Sequence, residues 1–65
     1  MVSEIVSRIA SALDTAESIG YISKYDSLAS LLDMRYEILL FAFDEDEVDE
    51  LSEQEIETAF NEWRK

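Results

Sequence analysis

An all-α fold is the expectation for this chain of 65 residues, and three features carry it. Two segments repeat apolar residues at three- and four-residue intervals, the spacing of one helix face. The chain has no proline and one glycine, so little interrupts those segments. Near the C-terminal end, Ser52 to Glu55 reads Ser-Glu-Gln-Glu, a helix-start signature. The economical architecture is a single acidic helical domain over residues 1–65, a small three-helix hairpin or bundle completed by homodimerisation.

The first helix is expected at about residues 3–19. Ser3 is its N-cap, and Ile5, Ile9, Ala12, Leu13, Ala16 and Ile19 form its apolar face. Gly20 follows the last periodic residue and takes the left-handed conformation that closes a helix. In the connection that follows, either Ser23 or Asp26 can cap the next helix.

The second helix is expected over about residues 26–43. Leu28, Leu31, Leu32, Ile38, Leu39 and Ala42 keep helical spacing, interrupted on that face only by Arg35. Arg35 has Asp33 and Glu37 as nearby partners. Residues 36–43 are apolar almost all round, as in a helix enclosed on several sides. Their aromatic and β-branched content leaves a minor α+β alternative open, with residues 36–43 as a buried strand.

An acidic tract, Asp44-Glu45-Asp46-Glu47-Val48-Asp49-Glu50, then occupies the expected turn. The third helix starts at Ser52, with Glu55 completing a capping box and Leu51 and Ile56 forming a hydrophobic staple. Ile56, Ala59, Phe60 and Trp63 make its apolar stripe. Acids at its start and Arg64 and Lys65 at its end both suit the helix dipole.

Length and composition set the energetic problem. A domain this short leaves about 40% of its unfolded-state surface exposed after folding. With no cysteine and no histidine, disulfides and the usual zinc sites are excluded as remedies, and oligomerisation remains. Hydrophobic residues still make up 48% of the chain, which argues against disorder. Tyr36, Phe41, Phe43, Phe60 and Trp63 are therefore candidate interface anchors, with Trp63, close to the chain end, expected to be partly exposed.

Charge points to the partner class. Residues 44–65 carry ten carboxylates against Arg64 and Lys65, a net of -8 out of -11. Such a field repels nucleic acid and anionic lipid and attracts basic protein surfaces or divalent cations. Direct nucleic-acid and membrane binding are not expected. Met1-Val2-Ser3-Glu4 lacks the basic start and apolar core of a signal peptide, and the apolar run from Ile38 to Phe43 is too short to span a bilayer, so a cytoplasmic location is expected.

The acids support two sharper readings beside that of a solvated face. Counting Asp44 as position 1 of a twelve-residue calcium loop puts Asp46, Glu50 and Glu55 at ligand positions 3, 7 and 12, in an EF-hand-like register. Val48 at position 5 and Asp49 at the glycine position break the pattern, so no metal or cofactor is expected. Alternatively, Asp46, Glu50, Glu53 and Glu57 form one helical row whose charge density approaches that of duplex DNA.

Nothing marks a catalytic pocket: there is no histidine, cysteine or glycine-rich loop to set paired pKa values apart, and no enzyme is expected. The sequence reads as a small acidic protein-protein interaction module. It would regulate or inhibit by occupying the basic surface of a protein, including a nucleic-acid-binding one, as phage-type nucleic-acid mimics do. Asp44, Glu45, Asp46, Glu47, Asp49, Glu50, Glu53 and Glu57 form the candidate contact face. A divalent-cation-responsive helix-loop-helix switch and a structural subunit of a larger assembly are the alternatives. Crowded carboxylates are expected to have raised pKa values, so that acid and salt both strengthen folding.

Overall fold

A computed structural model describes residues 3–65. Its element order is α1 (Glu4–Ser18), α2 (Leu28–Asp33), α3 (Arg35–Leu39), α4 (Glu45–Glu50) and α5 (Glu53–Arg64), with no strand among the described residues. The fold is all-α, and residues 36–43 are helix and turn, which removes the strand alternative. Among the described residues five helices replace the expected three. The two long ones, α1 and α5, pack on each other, while α3 packs on α1 and α2 on α5.

The ends of the long helices follow from local chemistry. Ser3 caps α1 by accepting the Val6 amide at 3.1 Å. Gly20 closes it at φ +81°. There the Tyr21 amide donates to the Ala16 carbonyl at 2.9 Å and the Gly20 amide to the Glu17 carbonyl at 3.0 Å, the paired bonds of a Schellman motif. At α5 the Ser52 hydroxyl accepts the Glu55 amide at 3.1 Å and itself donates to the Glu55 carboxylate at 3.0 Å. Glu55 thus returns to the Ser52 side chain, where a full capping box would have it on the Ser52 amide.

The helix expected over residues 26–43 is broken. Ser27, and neither Ser23 nor Asp26, is the N-cap of α2. Ser23 and Asp26 instead form a local turn, the Asp26 carboxylate accepting the Ser23 amide at 2.9 Å. Met34 interrupts the helix at φ -104°, ψ 11°, without glycine or proline. Packing supplies the reason. An unbroken 18-residue helix would be about 27 Å long, equal to the largest dimension of the molecule, 27 Å. Breaking it lets α2 pack on α5 and α3 on α1, with Leu31, Ile38 and Leu39 all fully buried. Arg35 satisfies the end that the break exposes, donating to the Leu32 carbonyl at 2.8 Å. It pairs with neither Asp33 nor Glu37.

One cluster fills the interior. Ile9, Ala12, Leu13 and Ala16 of α1 meet Ile56, Ala59, Phe60 and Trp63 of α5, closed by Ile22, Leu31, Ile38, Leu39, Phe43 and Val48. Alanine at 12, 16 and 59 lets the helix backbones approach closely. Each fully buried large side chain, Phe60, Leu13 and Ile38 among them, contributes about 1.5–3 kcal/mol. The radius of gyration is 10.5 Å, against about 11 Å for a compact domain of this length. The described residues thus enclose one apolar cluster, while Ile19, Tyr21, Tyr25, Tyr36, Leu40 and Phe41 stay exposed.

Three of the five expected interface anchors are used up in that closure. Phe43, Phe60 and Trp63 are buried, and Trp63 is not the partly exposed residue its position suggests. Its indole N–H donates to an Asp14 carboxylate oxygen at 2.8 Å, and the Lys24 ammonium lies 5.1 Å from its ring centre. Tyr36 and Phe41 are exposed, so residues 36–43 are not enclosed on all sides. Phe41 stacks edge-on against Tyr21 with ring centres 6.3 Å apart.

Candidate functional site: the acidic face over α3, α4 and α5

The acidic tract is a helix, which corrects its assignment to a turn. Asp44 is the N-cap of α4, and the Glu47 carboxylate returns to accept the Asp44 amide at 3.0 Å. Glu45, Asp46 and Glu47 occupy the first turn, where the helix dipole favours negative charge. Asp49 and Glu50 sit at the opposite end, where it does not. Val48 is the one residue of α4 turned into the core. A six-residue helix with one apolar contact needs an outside anchor.

Arg8 of α1 is that anchor, and sequence reasoning missed it. Its guanidinium grips Glu47 with two bonds of 3.0 and 3.2 Å and donates through Nε to the Ala42 carbonyl at 3.0 Å. Its charge also lies 4.3 Å from the centre of the Phe43 ring. The Asp44 amide and the Arg8 guanidinium together hold the Glu47 carboxyl below the usual glutamate range. This reverses, at Glu47, the expectation that crowding raises carboxyl pKa values. The available signal was charge matching: Arg8 is the only cation in the first 20 residues.

Asp44 caps α4 and Glu45 lies beside Tyr36, and the other acids of residues 44–65 divide into two groups. Glu47, Glu55 and Glu62 have partners within the chain. Asp46, Asp49, Glu50, Glu53 and Glu57 are exposed and make no side-chain hydrogen bond or ion pair among the described residues. The single row drawn through Asp46, Glu50, Glu53 and Glu57 is divided between α4 and α5, with Leu51 and Ser52 outside both helices. A charge spacing computed for one continuous helix therefore does not apply. The calcium-loop register is likewise divided, with Asp44 at the N-cap of α4, Asp46 and Glu50 within α4 and Glu55 in α5, and no group of three acids among the described residues is placed to hold a metal ion.

A groove of about 460 Å³ lies between α3, α4 and α5. Leu39, Val48, Leu51 and Ile56 form its floor, and Asp33, Asp49 and Glu53 stand on its rim with Tyr36 and Arg35. Leu32 and Glu57 extend it past Arg35, Glu53 and Ile56 into a smaller recess of about 150 Å³. Partial desolvation of Tyr36, followed by the nearby Glu45 carboxylate, raises its phenol pKa above the ordinary 10.0.

Among the described residues no helix is long and apolar enough to cross a membrane. No protein-family model, curated protein or solved structure matches this chain.

Proposed function

We propose that this protein acts by occupancy, covering a basic surface of a protein partner with the acidic face of α4 and α5 and so regulating or inhibiting what that surface does. One observation carries the reading. Asp46, Asp49, Glu50, Glu53 and Glu57 stand exposed without internal partners on a chain of net charge -11. Carboxylates so placed repel one another and cost stability, and a cationic surface relieves that cost while steering association. A nucleic-acid-binding surface belongs to the same partner class.

The test is capture on the immobilised full chain from lysate of the source cell, with stepwise salt elution. The expected result is a basic protein that elutes as salt rises and is lost when Asp46, Asp49, Glu50 and Glu53 are changed to lysine. Recovery of a partner that resists both salt and these changes contradicts the reading.

A further inference from the structure

The acidic face is not uniform. Most of it is convex helix surface, but between α3, α4 and α5 it is indented by the groove over Val48, Leu51 and Ile56. A generic solubilising surface has no use for an apolar recess within its charge. Here the recess carries three rim carboxylates, Asp33, Asp49 and Glu53, and a fourth, Glu57, where it continues beyond Arg35. Among the described residues that line it Arg35 is the one cation, donating to the Leu32 carbonyl at 2.8 Å, so the rim keeps a net negative charge. A negative rim around an apolar floor is complementary to a segment that is apolar on one face and basic at that face's edges. An amphipathic helix presents that pattern through anchors three and four residues apart.

We propose that this groove docks a basic amphipathic helix of the protein partner. Such a helix seats an aliphatic or aromatic side chain over Val48, Leu51 and Ile56 and sets lysine or arginine against Asp49, Glu53 and Glu57. The proposal rests on the occupancy reading above and sharpens it. Acids outside the groove, such as Asp46, contribute long-range attraction only, whereas Asp49 and Glu53 contribute contacts.

The test uses the full chain, isotope-labelled for amide NMR, and two synthetic peptides of about 14 residues, roughly four helical turns. Both contain only leucine and lysine in the same numbers. One places the leucines on a single helical face and the other scatters them. Groove docking predicts amide shifts gathered at Tyr36, Val48, Asp49, Leu51, Glu53 and Ile56. It also predicts that the amphipathic peptide binds at least about tenfold tighter than the scattered one. Asp49→Lys is expected to cost about tenfold and Asp46→Lys no more than about threefold. Both substitutions are at exposed sites, so folding survives them.

Equal affinity of the two peptides, with shifts spread over all exposed acids, overturns the groove and leaves the occupancy reading standing on bulk charge. Failure of both peptides to bind at low salt overturns both.

Discussion

Arg8 and Glu47, 39 positions apart in sequence, form a two-pronged ion pair of 3.0 and 3.2 Å that ties the acidic helix α4 to the first helix. Both side chains remain substantially exposed, 44% and 39%, so the pair fixes position more than it adds stability. It orients the helix that carries most of the free carboxylates. Replacing Arg8 with methionine keeps much of the packing on Phe43 and removes the grip on Glu47. Hydrogen exchange should then accelerate at the α4 amides while α1 and α5 keep their protection. Uniform acceleration throughout the chain would contradict this division.

Glu47 makes a pH prediction of definite sign. Its folded-state pKa is lowered from 4.5, so its contribution to stability is fully present above that unfolded-state value. The contribution disappears as pH falls through the lower folded value. The melting temperatures of the parent and Glu47→Gln should therefore differ at neutral pH and converge as acidification passes below the lowered Glu47 value. A gap that widens towards low pH would contradict the assignment.

The core makes its own forecasts. Phe60→Ala removes the largest fully buried side chain and should cost about 3–5 kcal/mol, a large part of the roughly 3–10 kcal/mol expected for a chain this size. Circular dichroism should show a protein unfolded or close to it at ordinary temperature. Asp14→Ala removes the acceptor of the Trp63 indole N–H and leaves that group to water, at a cost of about 0.5–1.5 kcal/mol, with a red shift in tryptophan emission as water reaches the ring.

Gly20 isolates a backbone effect. At φ +81° an added Cβ would meet nothing within 4 Å, so Gly20→Ala tests left-handed strain alone. Denaturant melts should show a loss of about 1–2 kcal/mol, with Gly20→Asn losing less.

What the sequence disclosed and what it concealed divide by range. Ser3, Gly20 and Ser52 act through partners a few residues away, and all three are legible from spacing. The break at Met34 is not, because it comes from fitting Leu31 and Ile38 to different neighbours, a tertiary demand that propensity does not encode. The helicity of Glu45–Glu50 depends on Val48 reaching the core and on Arg8 arriving from α1. The candidate site was legible as charge and illegible as shape: Asp49, Glu53 and Tyr36 stood out by residue type. Their assembly with Asp33, Leu39 and Val48 around a groove required the broken helix. The aromatic anchors fared worst, since burial of Phe43, Phe60 and Trp63 depends on how completely five helices close one core.

On the proposed function, the free carboxylates over α4 and α5 bind a basic protein surface. The most direct measurement is the affinity of the captured partner at low and high salt, for the parent and for the Asp46→Asn, Asp49→Asn, Glu50→Gln, Glu53→Gln variant. The account predicts binding by the parent that weakens steeply with salt, and a variant that is weak at low salt and nearly salt-insensitive. Equal affinities with equal salt dependence in the two proteins would contradict it.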